Sequence, residues 1–227
     1  MPLDRSRFDA VLLDLDGTLI DSLGDLGFAL DAVLEREGLR PVTAAEVRTM
    51  VGDGALALVR RALQATGGDP DRAAALLPAF LAVYEPVAAT RTRLFPGAAE
   101  TVRRLGEAGF ALAVVTNKPA RATGLILEAV GLASSIHAVL GGDTLAHRKP
   151  APEPVWEALR RLGTAPGRAV LVGDMHHDIE AARAAGVAAI LARYGYGRPD
   201  DAEAADAVID DIGELPAAIA ALSHAPG

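Results

Sequence analysis

Six short apolar runs recur along this chain: AVLLDL (10–15), ALAVVT (111–116), HAVLGG (137–142), AVLVGD (169–174), AAILA (188–192) and DAVID (206–210). They lack the strict alternation of apolar and polar residues that a strand with one wet face carries. Such runs suit a parallel sheet covered on both faces. The segments between most of them have a helical period. In PEPVWEALRRLG, for example, Val155, Leu159 and Leu162 share a face and Gly163 supplies the stop. Strand and helix in alternation predict a doubly wound α/β sheet.

One interval breaks the alternation. Between the first two strands lie nearly a hundred residues that read mostly as helix. Leu26, Leu30, Val33 and Leu34 form a stripe ending at Gly38, and Thr43 with Glu46 makes a capping box. ALALVRRALQATGG closes on a glycine pair. Asp69-Pro70 then opens a segment with Leu76, Leu77, Phe80, Leu81 and Tyr84, which Pro78 is expected to kink or split. The division expected is an α/β core of residues 1–19 and 91–227 with a helical insertion at 20–90. LFPGAAETVRRLGEAGF returns the chain to the core through a Pro-Gly turn and a helix ending at Gly109. The glycine- and charge-rich stretch RYGYGRPDDAEAAD (193–206) is the expected mobile loop.

Composition narrows the function. The 227 residues are 51% hydrophobic and 23% charged, as in a globular protein, and the net charge of -8 argues against a nucleic-acid partner. An anionic small molecule stays possible, because a bound cation or local lysines reverse the field within one pocket. Without cysteine there is no disulfide, no thiol nucleophile and no Cys-ligated zinc. No apolar run spans a bilayer, and MPLDRSR lacks the apolar core of a signal peptide. A cytoplasmic protein without membrane contact, monomeric or homodimeric, is expected.

In a parallel α/β sheet, ligands bind beyond the carboxyl ends of the strands where strand order reverses. Asp14 and Asp16 end the first expected strand, Thr116 and Asn117 the second. Lys149 follows the third, Asp174 ends the fourth, and Asp178 opens the next helix. An isolated Asp-x-Asp-Gly is equally an acidic turn; convergence of these residues on one sheet edge favours a site. Crowded carboxylates repel one another unless a hard cation such as magnesium joins them, and Gly17 lets the backbone turn sharply beneath it. The basic residues agree. Twenty of the 22 are arginine, yet both lysines, Lys118 and Lys149, fall in loops at this edge. A compact ammonium fits among phosphoryl oxygens where a planar guanidinium does not.

At these residues the sequence resembles the haloacid dehalogenase superfamily of phosphotransferases. DLDGTLIDS, VVTNKP, HRKPAPEP and VGDMHHDIEAARAAG match its four motifs in order, over essentially the whole chain. Within the superfamily, VGDGALALVRRAL, TNKP, GGDTLAHRKPAPEP and YGYG look most like bacterial phosphoglycolate phosphatases. The resemblance implies a Rossmann-like core with a helical cap. It also implies a magnesium-dependent phosphatase working through an aspartyl-phosphate. By position, Asp14 would be the nucleophile, Asp16 the acid and base, and Lys149 the group that neutralises charge. Thr116 and Asn117, with Gly17 and Thr18, would meet phosphoryl oxygens. Magnesium would be held by Asp14, the Asp16 carbonyl and Asp174, with Asp178 supporting the loop. Aspartate at position 16 distinguishes phosphatases and mutases from the superfamily's dehalogenases, phosphonatases and transport ATPases.

Two stretches depart from the phosphoglycolate phosphatase pattern. Met175-His176-His177 stands where those proteins often have Ser-Arg-Asn, and His-His also precedes this Asp in relatives that cleave pyrophosphate. The run admits a transition-metal reading, against the plainer one of a polar loop beside the magnesium site. In VGDG, Asp53 stands where Asn is frequent and would repel an anionic substrate unless an arginine pairs with it. Lys118→Arg is expected to be milder than Lys149→Arg if the Lys118 side chain merely lines the entrance. Of Arg60 and Arg61, one is expected in solvent and one facing the cap, with Arg61 a candidate for a substrate carboxylate. Trp156 is expected to pack on its helix, and the YGYG tyrosines to shape a loop. The reading is hydrolysis of a small phosphate ester, 2-phosphoglycolate foremost. A pyrophosphatase, a phosphosugar mutase and a catalytically idle binding protein are the rivals.

Overall fold

A computed structural model describes residues 6–198, 201 and 204–224. Residues 1–5 of the N-terminal stretch, and 199–200 and 202–203 of the glycine-rich loop, lie outside them. Six strands form one parallel sheet: β1 (Ala10–Leu13), β4 (Ala111–Val115), β5 (Ala138–Leu140), β6 (Ala169–Gly173), β7 (Ala188–Ala192) and β8 (Ala207–Ile209). Their order is β5-β4-β1-β6-β7-β8, with Leu13 opposite Val114 on one side and Val172 on the other. All six expected strands are present, each trimmed by at most two residues at an end.

The period-2 geometry of β1 sends Val11 and Leu13 to one face and Ala10 and Leu12 to the other. On the first face they meet Val102 and Leu105 of α5 (Ala98–Glu107), Ile126 of α6 (Ala120–Ala129) and Ile219 of α9 (Leu215–His224). On the second they meet Val155 and Leu159 of α7 (Glu153–Leu162) and Ile179 of α8 (His176–Ala185). Leu12 and Leu13 are fully buried, each worth roughly 1.5–3 kcal/mol over an exposed leucine. The chain runs outward from β1 to β5 on one side and then crosses back to β6. The reversal therefore falls at β1, and the carboxyl ends of β1, β4 and β6 flank it.

The interval between β1 and β4 holds α1 (Leu23–Arg36), α2 (Ala44–Met50), α3 (Ala55–Thr66) and α4 (Ala73–Tyr84), which pack on one another. The capping box forms as expected: Glu46 N donates to Thr43 Oγ1 at 3.2 Å and Thr43 N to Glu46 Oε2 at 2.8 Å. Pro78 does not split α4, which runs unbroken through it. Pro78 and Ala74 are both exposed, so the carbonyl deprived of its N–H donor faces water, while Phe80 and Tyr84 anchor the other face.

Sequence periodicity misses the base of this helical unit. β2 (Ile20–Asp21) pairs antiparallel with β3 (Arg93–Leu94), bringing the outgoing and returning chains together. Asp25, fully buried in α1, accepts hydrogen bonds from Arg91 N at 2.9 Å, Thr92 N at 2.8 Å and Thr92 Oγ1 at 2.9 Å. One carboxylate thus ties the first helix to the return segment. Trp156, expected to pack, is 47% exposed, because the buried stripe of α7 runs through Val155, Ala158 and Leu159 and leaves it on the flank.

Candidate active site

Beyond the carboxyl ends of β1, β4 and β6, the sheet edge and the helical unit line a pocket of about 50 Å³. The core contributes Asp14, Asp16, Thr116, Asn117, Lys118, Lys149 and Asp178; the helical unit contributes mainly Leu26, Val51, Ala55, Leu58, Phe80 and Tyr84. Polar groups therefore line one wall and apolar groups the other.

Two carboxylate–lysine pairs organise the polar wall. Lys149 Nζ lies 2.8 Å from Asp14 Oδ1 and donates to Asp178 Oδ1 at 2.5 Å. Its aligned hydrogen bond goes to Asp178, so Asp14 Oδ1 is buried without an aligned donor. Lys118 Nζ donates to both oxygens of Asp16 at 2.9 Å, and Ser22 Oγ donates to Asp16 Oδ1 at 2.5 Å. Lys118 is 5% exposed, so it does more than line an entrance, and an ammonium so buried needs its carboxylate.

Burial raises the Asp14 carboxyl to about 6; Lys149 opposes the rise and Asp178 adds to it. Asp174 is raised as well, through burial and then its neighbours Asp14 and Asp178. Burial alone would depress both lysines. Asp16 and Tyr84 outweigh it at Lys118, Asp14 and Asp178 at Lys149, and both ammonium groups are held above their ordinary value.

Carboxylate oxygens of Asp14, Asp174 and Asp178 lie within 4.8 Å of one another. An all-oxygen donor set, with Asp14 Oδ1 lacking an aligned hydrogen bond, fits a hard divalent cation. The turn at Gly17 completes the cradle. Its φ is +84°, and a Cβ there would sit 2.2 Å from Asp174 Oδ2. Asp178 Oδ2 also accepts Met175 N at 3.1 Å, fixing the loop that carries Asp174.

The other expected residues fall in distinct places. Thr116 and Asn117 line the pocket, with Asn117 Nδ2 donating to the carbonyls of Gly52 and Lys149, both at 2.9 Å. Gly17 and Thr18 lie behind it, and Thr18 Oγ1 is 3.4 Å from Asp174 Oδ1. The YGYG tyrosines shape a loop as expected. Tyr196 N donates to Asp174 Oδ2 at 2.7 Å, Tyr194 Oη to Thr18 O at 2.8 Å, and Tyr196 Oη to Asp21 Oδ1 at 2.8 Å.

The departures from the family pattern meet each other. His177 Nε2 lies 2.7 Å from Asp53 Oδ1, and Arg61 pairs with the other Asp53 oxygen. Arg61 also donates to Met50 O at 2.8 Å, so it is spent within the helical unit and does not line the pocket; Arg60 is exposed. The candidate role of Arg61 toward a substrate carboxylate does not fit this placement. The transition-metal reading of His176-His177 fares no better, since among the described residues the metal-ligating cluster contains neither histidine.

A doubly wound sheet with a carboxylate cluster at its reversal point, buried lysines and an inserted helical unit defines a hydrolase-type α/β enzyme site. Residues 11–192 match the haloacid dehalogenase-like hydrolase family, and the chain belongs to it. The phosphoglycolate phosphatase of Rhodospirillum rubrum is 42% identical over 213 residues, 91% of this chain and 88% of that protein. A predicted phosphoglycolate phosphatase from Haemophilus somnus superposes with a TM-score of 0.85 at 32% identity, covering 92% of this chain and 96% of that one. CbbY from Rhodobacter sphaeroides, solved with phosphate, gives a TM-score of 0.80 at 27% identity, with 92% and 96% covered.

Proposed function

We propose that this enzyme is a phosphoric monoester hydrolase acting on 2-phosphoglycolate, with magnesium as cofactor and phosphoryl-Asp14 as intermediate. Residues 20–90 act as a cap over a core of residues 1–19 and 91–227. The observation that carries the reading is Asp14, whose buried carboxylate stands beside the Lys149 ammonium at 2.8 Å in the pocket. The likeness to phosphoglycolate phosphatases supports the substrate.

In the first step a carboxylate oxygen of Asp14 bonds to phosphorus and the bond to the glycolate oxygen breaks. Asp16 gives that oxygen its proton, so glycolate leaves as the alcohol. In the second step water bonds to phosphorus, the Asp14–phosphorus bond breaks, and Asp16 takes the proton from water. Lys149 offsets negative charge at Asp14 throughout, and Thr116, which lines the pocket, would meet phosphoryl oxygens. Asp14, Asp174 and the Asp16 carbonyl would hold magnesium, with Asp178 in support. Bound there, the ion neutralises phosphoryl charge. The apolar wall of the cap excludes water from the first step.

A hydrolysis panel tests the proposal, with 2-phosphoglycolate, pyrophosphate, hexose phosphates and nucleoside monophosphates, each with magnesium and after chelation. Phosphoglycolate should show the highest kcat/KM. A lead for pyrophosphate or a hexose phosphate would reject the substrate, and full activity after chelation would reject the cofactor. Asp14→Asn should abolish turnover, and mass spectrometry after brief exposure to substrate should map the phosphoryl adduct to Asp14. An adduct elsewhere overturns the mechanism.

A further inference from the structure

We propose that Lys118 binds the carboxylate of the substrate and sets the preference for a small anionic ester. This rests on the reading of the enzyme as a phosphatase for phosphoglycolate. Its starting point is the shortage of positive charge in the pocket. Among the described residues, the basic side chains lining it are Lys118, Lys149 and His177. Lys149 is enclosed by Asp14 and Asp178, beside the attacked phosphorus. His177 is turned to Asp53. The apolar wall offers Leu26, Val51, Leu58 and Phe80, none of which can meet a charge. Lys118 faces the one carboxylate of Asp16 where Lys149 faces two, so of the two lysines it keeps more positive charge for a second anionic group on the substrate.

Lys118 is suited to it. The ammonium has three donors, and the two oxygens of a single carboxylate, Asp16, face it at 2.9 Å. Its Nζ lies 5.0 Å from the centroid of the Tyr84 ring, whose π face favours a cation, and the side chain lines the pocket. Reach follows from bonding. The leaving oxygen must come within hydrogen-bond distance of Asp16 to receive its proton. In 2-phosphoglycolate the carboxylate carbon is two bonds from that oxygen. An anion so placed lies beside the ammonium that Asp16 already holds, so Lys118 can grip it without releasing Asp16. Lys118 is buried, and burial lowers the local dielectric and strengthens the pair.

The same ammonium therefore orients the proton donor and reads the group next to the atom that donor protonates. An ester of equal size without a carboxylate, such as ethyl phosphate, would keep the first effect and lose the second. A site that uses a buried charge in this way discriminates strongly against an analogue lacking the counter-charge.

The test compares kcat/KM for 2-phosphoglycolate and ethyl phosphate in the natural enzyme, in Lys118→Met and in Lys118→Gln. The glutamine variant keeps an N–H for Asp16 and guards against a methionine variant that fails to fold, which circular dichroism checks. Preference for phosphoglycolate should fall at least about tenfold in the folded variants, chiefly through KM. In an Asp14→Asn background, where turnover is blocked, calorimetry should show that adding Lys118→Gln weakens phosphoglycolate binding by a similar factor. Equal losses on both esters, or unchanged binding, would overturn the proposal and leave Lys118 as an orienting residue for Asp16 in a phosphatase that still stands. A natural enzyme with no preference for phosphoglycolate would instead remove the substrate reading, and this inference with it.

Discussion

His177 Nε2 and Asp53 Oδ1, 2.7 Å apart, join the loop before α3 to the first turn of α8. The contact closes the helical unit onto the core beside the pocket. Burial works against ionisation of Asp53, but Arg61 and His177 outweigh it and hold the carboxyl below its ordinary range. Asp53→Ala and His177→Ala should each raise KM and lower kcat/KM about tenfold, and the double variant should lose little more, because both remove one latch. Steady-state kinetics on the three proteins checks this; fully additive losses would mean that the two residues act separately.

Lys149→Arg should cost at least about tenfold in kcat, because a planar fork cannot occupy the narrow space between Asp14 and Asp178. Lys149 is 3% exposed, and its ammonium touches both carboxylates. Circular dichroism should show the fold retained, and stopped-flow phosphorylation should place the loss in the first chemical step. Unchanged kcat would contradict the point-charge role.

Gly17→Ala places a methyl group 2.2 Å from Asp174 Oδ2 at a φ of +84°. Asp174 must then move, and the cluster it shares with Asp14 and Asp178 widens. The magnesium concentration giving half-maximal rate should rise at least about tenfold, with roughly 1–2 kcal/mol lost from stability to the left-handed backbone. A magnesium titration of the rate, beside a melting curve, separates the two effects. An unchanged magnesium requirement would exclude Asp174 from the metal site.

Stability should depend on pH with a sign set by the carboxylate cluster. Asp14 moves from an ordinary value of 3.8 to about 6, and Asp174 moves in the same direction. The folded chain therefore holds these protons more tightly than the unfolded one. Metal-free stability should fall as pH rises from about 4 through about 6, where the folded state must give up protons that the unfolded state has already lost. A divalent cation favours the ionised cluster, so the rise in Tm produced by magnesium should be larger at about pH 7.5 than at about pH 5. Equal rises at the two pH values, measured by scanning fluorimetry, would count against a metal held by these carboxylates.

The sheet and the polar edge were legible because their signals are local. Apolar runs without alternation mark buried strands wherever they occur, and each of Asp14, Thr116 and Asp174 sits next to the end of its own run. A doubly wound sheet then leaves one edge on which such ends can meet. Pro78 shows the complementary case, in which the structure departs from the local expectation. Its local cost is real, but packing of Phe80 and Tyr84 and hydration of the freed carbonyl decide the outcome, and neither is visible in the adjacent residues.

Pairings across the fold lay beyond the sequence for the same reason. Asp25 with Thr92, Asp16 with Lys118 and Asp53 with His177 are separated by 67, 102 and 124 residues. The sequence by itself determined which side chains reach the sheet edge, because strand ends and helix starts are set by local backbone preferences and apolar period. Only the tertiary structure decided which charges neutralise one another: that Arg61 is spent on Asp53, and that Lys118 sits buried against Asp16. A charge taken out of water must find its partner within a few ångströms, and that distance exists only once the helical unit has folded onto the sheet.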